Sequence, residues 1–168
     1  MSLVTSVLVE AGLDPIGRTP VDATCDLAWD AVRAWLDDPT RPLPAPTKVT
    51  RYALGEAGGA RLTFTDAAAH PERAGAVFYL AAAEASPDTY RDGPVSGCAL
   101  GLIEPQPDGT ARARYASLTY AGTDAPVVEK PEGLALDPRD PARAYVVLDP
   151  DDPGIPSRLC VVSLEGPW

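Results

Sequence analysis

The feature that most constrains the fold is a run of short, β-rich segments separated by turn residues. The 19 prolines and 14 glycines are spread along the 168 residues and mark frequent turns. Strands are predicted over 4–9, 48–54, 60–69, 76–84, 98–105 and 111–120, and then over the segments VVEKPEGLALD, RAYVVLD and SRLCVVSLEG. Because only one good helix candidate interrupts them, the sequence predicts an all-β chain and excludes regular α/β alternation.

The helix candidate is residues 26–39, which precede a proline-rich connector at 41–48. Leu27, Val32, Trp35 and Leu36 can share one helical face, and Asp26 can cap the first turn. The alternative is that VDATCDLAW continues as a strand. We therefore expect one domain over 1–168, in which 1–47 holds a strand, a helix and the connector.

Residues 48–168 contain a repeat of about 40 residues, the length of one β-propeller blade. In each copy a short strand, a proline-containing turn and an aromatic-rich strand with an acidic end precede an apolar strand that holds Cys98 or Cys160. Asp66 and Glu132 lie near the start of the first strands, whereas Glu84 and Asp149 end the second strands. The repeat predicts antiparallel, propeller-like blades, about three to four in number.

Several of these segments also resemble a known type of protein. FTDAAA, YLAAAEASPDTYRDGPVSGCALG, EKPEGLALDP and AYVVLDPDDPGIPSRLCVVSL are similar to the C-terminal half of an uncharacterised family of bacterial β-propeller-type proteins. That family is distantly similar to phytase-like propellers. The resemblance covers about 45–168 and implies a fold rather than an activity.

The chain is short for a closed propeller of four to eight blades. An open array leaves unpaired strand edges, and such edges invite pairing with another chain. We therefore expect a truncated family member that forms a homodimer through its exposed blade edges or persists as an open array.

The candidate ligand-binding residues are Asp66, Glu84, Lys130, Glu132 and Asp149. Lys130 and Glu132 are two positions apart, so a strand projects them to the same face. With Asp66, Glu84 and Asp149 they form a predicted acidic channel mouth. Asp66, Glu84 and Glu132 are the candidate metal ligands, because carboxylate oxygens suit Ca²⁺ or Mg²⁺. The alternative is an ion pair that bridges neighbouring blades.

The remaining chemistry-bearing residues are interpreted structurally. Turn formation explains Asp137, Asp140, Asp151 and Asp152, since aspartate bonds its own nearby backbone. Loop structure explains Asp88, Tyr90 and Asp92. His70 is predicted to be a surface histidine. The cysteines are predicted to be reduced and structural, because they lack zinc-site spacing: Cys25, Cys98 and Cys160.

Charge excludes some partners. A net charge of −10 argues against nucleic acid and against anionic membrane, which both require a basic surface. The N-terminus lacks the basic region of a signal peptide, and no apolar run is long enough to span a membrane. These observations predict a cytoplasmic location.

Two functions from different classes remain. One is a non-catalytic ligand-binding or interaction scaffold with an acidic channel mouth. The other is a metal-dependent hydrolase of a phosphoester or lactone, which would use the three candidate metal ligands. The sequence favours the scaffold, because it contains no P-loop, no G-x-S-x-G motif and no evident partner for His70.

Overall fold

The computed structural model describes residues 4–9, 22–85 and 93–168, and only the backbone of 4–9. The predicted loop residues Asp88, Tyr90 and Asp92 lie outside these ranges. The chain divides into two units, Met1–Ala53 and Leu54–Trp168. Every strand pairing in the described residues is antiparallel, and one short helix accompanies the strands. The all-β prediction is therefore confirmed.

The first unit is a three-stranded sheet with the helix inserted between its last two strands. Its elements are β1 (Val4–Val9), β2 (Asp22–Ala28), α1 (Trp29–Asp37) and β3 (Lys48–Tyr52). The strand order is β1-β2-β3. Thr24 and Tyr52 link β2 to β3 through their hydroxyls, 3.2 Å apart. β3, which the sequence analysis placed at the start of the blade repeats, thus completes the first sheet instead.

The predicted capping role of Asp26 is wrong. Asp26 lies in β2, and α1 begins three residues later, after Ala28, with no side-chain cap. The backbone ladder explains the difference, because Asp26 pairs with Lys48 and its carbonyl accepts a 2.8 Å hydrogen bond from the Thr47 N–H. The alternative prediction of a strand is confirmed for Asp22–Ala28, whereas the predicted helix is confirmed from Trp29 to Asp37; Val21 lies outside the described residues.

The second unit contains two sheets. Its elements are β4 (Glu56–Ala57), β5 (Ala60–Ala69), β6 (Val77–Glu84), β7 (Val95–Pro105), β8 (Ala111–Ser117), β9 (Lys130–Leu136), β10 (Arg143–Asp149) and β11 (Arg158–Ser163). The larger sheet has the order β4-β5-β6-β7-β8, and the smaller sheet has the order β9-β10-β11. The larger sheet curls like half of a barrel. Register shifts next to Asp66 and Glu84 accompany this curl, since extra residues bend and twist a strand.

The predicted repeat corresponds to two antiparallel meanders, β5-β6-β7 and β9-β10-β11. Cys98 and Cys160 occupy the third strand of each, as the repeat predicts. The two sheets have five and three strands, where a propeller blade has four. The propeller arrangement itself stays a prediction.

The main core lies between the two sheets of the second unit. Phe78 and Leu80 of β6 are cross-strand partners of Leu102 and Leu100 of β7, and all four are buried. They belong to one apolar cluster with Ala144, Val146 and Leu148 of β10. Full burial of each large apolar side chain stabilises the fold by about 1.5–3 kcal/mol. The alternation of β10 therefore fixes which face of the smaller sheet is internal.

β6 is buried on both faces, which explains its uninterrupted apolar sequence. On the face opposite Phe78, the ring of Tyr79 lies over Gly101 and meets Phe64 edge-on at a centroid distance of 5.0 Å. A Cβ at position 101 would lie 2.1 Å from a carbon of the Tyr79 ring. Glycine at this position therefore makes room for the tyrosine.

Candidate functional site

Three of the predicted site residues meet where β6 ends and β9 begins. The Lys130 ammonium lies 3.8 Å from Glu84 Oε2 and 3.5 Å from Glu132 Oε1. Lys130 and Glu84 are 19% and 15% exposed, respectively, whereas Glu132 is 42% exposed. The strands thus bring charge to one place, as predicted, and the arrangement is the ion pair of the alternative interpretation. Partly solvated pairs of this kind stabilise by about 0–1 kcal/mol.

Asp66 has a different role, since it binds the backbone of the neighbouring sheet. Its Oδ2 accepts a 2.7 Å hydrogen bond from the N–H of Leu134 in β9. Asp66 follows Thr65 at the register shift of β5, where Thr65 Oγ1 is buried and has no hydrogen-bond partner among the described residues. Asp66 therefore joins β5 to β9.

Asp149 is the cross-strand partner of Lys130, but its carboxylate serves a turn. Asp149 Oδ1 accepts a 3.0 Å hydrogen bond from the N–H of Asp151, whose φ of 52° is left-handed. Asp137, Asp140 and Asp152 accept backbone N–H bonds two residues ahead in the same manner. Turn formation, the interpretation from sequence, is confirmed for Asp137, Asp140 and Asp152. Asp149 forms the same kind of turn, although the sequence analysis placed it at the acidic mouth.

The predicted metal ligands are not gathered into one set of donors. No group of three or more histidine, cysteine or carboxylate side chains suited to a metal occurs in 22–85 and 93–168. Asp66 bonds the backbone of β9, while Glu84 Oε1 accepts a 2.7 Å bond from the Gly93 N–H and Oε2 faces Lys130. The geometry therefore favours structural roles for Asp66, Glu84 and Glu132.

His70 is half-buried rather than on the surface, which corrects the sequence-based prediction. Its ring stacks on Phe78 at a centroid distance of 5.2 Å. Nδ1 accepts the N–H groups of Glu72 and Arg73 at 3.1 Å each, and Nε2 lies 2.9 Å from Arg73 Nε. Burial, and secondarily the charge of Arg73, lower the pKa of His70 below its ordinary value of 6.5.

A cleft that the sequence analysis missed opens between the two sheets of the second unit. It has a volume of about 670 Å³, within the range of small-molecule sites. Its walls include the end of β8, the segment 118–122 and β11. Its apolar lining continues the core: Leu100, Leu118, Val127, Val146, Leu148, Val162, Leu164 and Trp168. Hydroxyl groups and one carboxylate add polarity: Ser117, Thr119, Tyr120, Ser163 and Glu165.

One wall of the cleft forms where β8 ends, at Ser117. The sequence predicted a strand over 111–120, but β8 ends at Ser117. The chain then turns, with Thr119 bridged to Pro126 and the Leu118 carbonyl accepting the N–H of Val127 at 2.9 Å. The available signal was AGTDAP at 121–126, a turn-forming stretch directly after this strand.

An ion-paired cluster flanks the cleft at Tyr120. The Tyr120 hydroxyl donates to Glu129 Oε1 at 2.9 Å, and Arg158 Nη2 donates to the same carboxylate oxygen. Arg158 Nη2 also lies 3.3 Å from the Tyr120 hydroxyl. The bond with Tyr120 and the charge of Glu129 raise the pKa of Arg158, so this guanidinium stays charged and committed to its partners.

The cysteines behave as structural thiols, and none is in a disulfide. Burial, and secondarily the charge of Glu129, raise the pKa of Cys98 to about 12, so this thiol is not a nucleophile at neutral pH. Its Sγ donates to the Val127 carbonyl at 3.5 Å. Cys160 is only partly buried and lines the cleft.

Comparison with known proteins identifies a family without an assigned activity. The model of a family of unknown function, DUF6910, matches residues 16–153. The chain belongs to DUF6910. The match covers parts of both units of this DUF6910 protein and ends after β10. It therefore includes Glu84, Lys130 and Glu132, and the lining residues of the cleft that precede β11. No curated protein and no solved structure matches the chain significantly.

The DUF6910 match neither supports nor opposes the resemblance to phytase-like propellers, which stays a prediction. In the described residues no helix is long and apolar enough to cross a membrane. For this DUF6910 protein, functional inference depends on the geometry of its own residues.

Proposed function

We propose that this DUF6910 protein is a non-catalytic binding protein that takes a small, largely apolar molecule into the inter-sheet cleft. The observation that carries the proposal is the cleft itself, about 670 Å³ in volume and lined by continuous core residues. Ligand sites in proteins are commonly apolar clefts of this size with a few polar groups. The proposal keeps the binding scaffold predicted from sequence, but it assigns the binding site to the cleft and not to the charged residues.

The charged residues support this proposal by having structural partners of their own. Lys130 faces Glu84 and Glu132, and Asp66 holds the backbone of β9. A ligand at the predicted acidic mouth would have to replace these contacts. A ligand in the cleft would instead cover apolar surface, which is favourable by about 25 cal/mol per Å².

Two further elements of the sequence-based prediction are retained as proposals. The propeller-like arrangement would be tested by an experimental structure of the full chain, which must contain blades around a common channel. Self-association through strand edges is favoured by the position of β11 at the edge of its sheet. The cytoplasmic location stays a prediction from sequence.

A test of the cleft requires a variant that fills it without disturbing the core. Ala116 suits this purpose, because it is exposed and pairs with Leu100, which lines the cleft. We expect Ala116→Trp to weaken binding of the neutral fluorophore Nile red at least tenfold, roughly 1.4 kcal/mol, because the indole occupies the site. Tyr115→Trp is the matched control, since Tyr115 lies on the opposite face of β8.

Binding is measured by fluorescence titration, with thermal unfolding as a check on folding. Equal affinity of Ala116→Trp and wild type would contradict the proposal, as would the absence of any saturable binding to the wild-type protein. Equal losses in both variants would show that the probe binds elsewhere, and this too would contradict it.

A further inference from the structure

The one charged side chain among the described residues that line the cleft is the carboxylate of Glu165. This negative charge determines which head group an apolar ligand can carry. Among residues 22–85 and 93–168, the lining of the cleft contains hydroxyl groups and the carboxylate of Glu165, but no lysine or arginine. An anionic head group placed there would lose water without gaining a cation as a partner. Buried or half-buried charge without compensation is costly.

Two guanidinium groups close to cleft residues already have anionic partners. Arg158 binds Glu129, and Arg114 Nε lies 3.3 Å from Glu104 Oε2. Since Glu104 also binds Arg73, this carboxylate holds two cations. Recruiting either arginine for a ligand would break an existing ion pair.

A cation, in contrast, finds several favourable groups. No side chain or backbone group in 22–85 and 93–168 pairs with the Glu165 carboxylate, and the Glu165 carbonyl accepts a 2.9 Å bond from Trp168 Nε1. This bond keeps Glu165 and the Trp168 ring at the same part of the rim. The guanidinium carbon of Arg114 already lies 5.5 Å from the Trp168 ring centroid, so the Glu165 carboxylate is the group that remains to attract a cationic ligand.

The charge of the whole chain acts in the same direction. A net charge of −10 raises the local concentration of cations and lowers that of anions. From these observations we infer that the ligand of the cleft is a cationic amphiphile, with an apolar body in the core-lined part and an amine or quaternary ammonium beside Glu165. This inference depends on the proposed function and narrows its ligand class.

The test compares molecules that share a tail and differ in head charge. Octyltrimethylammonium, octyl glucoside and octyl sulfate compete with Nile red below their micellar concentrations. We expect the cationic compound to compete about three- to tenfold more strongly than the neutral one, and the anionic compound to compete most weakly. In Glu165→Gln the advantage of the cationic compound over the neutral one should fall to about twofold or less.

Controls separate this inference from the proposed function. Ala116→Trp must weaken the direct binding of all three compounds, measured by calorimetry without Nile red, whereas general attraction of cations to an acidic surface would leave the cationic compound bound. If Nile red does not bind wild type, the proposed function fails. If the neutral compound competes as well as the cation, or if Glu165→Gln keeps the cationic advantage, only the ligand class is wrong.

Discussion

At the residue scale, the protonation of His70 links the stability of the fold to the pH of the solution. Both ring nitrogens face hydrogen-bond donors: the backbone N–H groups of Glu72 and Arg73 at Nδ1, and Arg73 Nε at Nε2. A protonated imidazole carries an N–H at each nitrogen, so it would oppose donors on both sides. The folded state therefore prefers the neutral ring, consistent with the lowered pKa.

This preference determines the sign of the pH effect. Because the pKa of His70 is lower in the folded state, the unfolded chain binds a proton first as the pH falls through 6.5. The stability contributed by neutral His70 is therefore complete above about pH 6.5 and decreases as the pH falls toward the pKa of the folded state.

We predict that His70→Asn removes this part of the pH dependence. Asparagine places an acceptor oxygen near the position of Nδ1 and does not titrate. Between about pH 8 and about pH 5.5, wild type should lose more unfolding free energy than the variant, as measured by urea denaturation at each pH. The variant can have a lower unfolding free energy than wild type by the same amount at every pH, because it loses the stacking of the His70 ring on Phe78. Parallel pH profiles would contradict the prediction.

Residue-level prediction from sequence succeeded where spacing along a strand was enough. Lys130 and Glu132 share a face because strands have a period of two, and Glu84 meets them because its strand ends nearby. The bond from the Leu134 N–H to Asp66 was not predicted, since its donor is a backbone group and no side-chain pattern marks it. His70 was misjudged because its burial depends on Phe78, which local sequence does not place against it.

At the element scale, β11 combines an open edge with an exposed apolar face. Within the described part of the chain it pairs only with β10, and Leu159 and Val161 are 72% and 64% exposed. Its sequence RLCVVS contains no lysine or proline, and its one charged residue, Arg158, lies at the first position of the strand. This favours pairing of β11 with the β11 of a second copy.

The geometry of a two-fold pair limits the register. Directly opposite residues in an antiparallel pair lie on the same face, so Leu159 can oppose Val161 but not Val162. That register places Cys160 opposite the Cys160 of the second copy. Opposed cysteines of neighbouring antiparallel strands have Cα atoms within about 4.5–5.5 Å, a separation at which a disulfide can form.

We predict that light scattering gives a mass of twice 17.6 kDa for wild type and the monomer mass for Val161→Lys. Leu43→Lys is the matched control, because it changes an equally exposed apolar residue in the first unit and should stay dimeric. Mild oxidation should cross-link wild type but not Cys160→Ser. A wild-type monomer at every accessible concentration would refute edge pairing.

Element-level prediction from sequence was accurate for strands and poor for their ends. β5 and β10 were predicted with their observed bounds, because turn residues mark both ends. β8 was predicted too long and α1 too early. In both cases a long-range backbone pairing decided the boundary: Val127 with Leu118, and Lys48 with Asp26. The cleft was missed for this reason.

At the scale of the whole molecule, excess negative charge should govern the response to salt. The chain has 24 acidic residues and 14 lysines or arginines, so even complete pairing leaves ten carboxylates without a basic residue. Their mutual repulsion opposes the folded state, and salt screens it over about 10 Å at 0.1 M. The described ion pairs are also screened, but partly exposed pairs each contribute only about 0–1 kcal/mol.

We predict that raising NaCl from about 10 mM to about 0.5 M at neutral pH increases the unfolding midpoint by a few degrees. Near the sequence pI of about 4.4 the net charge vanishes, so the same change should have little effect. The measurement is calorimetry in both buffers. An equal shift at both pH values would mean that ions act other than by screening net charge.

Calorimetry with Ca²⁺ or Mg²⁺ in place of NaCl distinguishes the binding scaffold from the metal-dependent hydrolase. Screening depends on ionic strength, whereas a coordinated ion stabilises by mass action at its own site. Since Glu84 faces Lys130 and Asp66 binds the Leu134 N–H, we expect Ca²⁺ and Mg²⁺ to stabilise no more than NaCl of equal ionic strength. A selective rise with either ion, abolished in Asp66→Asn, would instead favour the hydrolase and reassign these carboxylates as ligands.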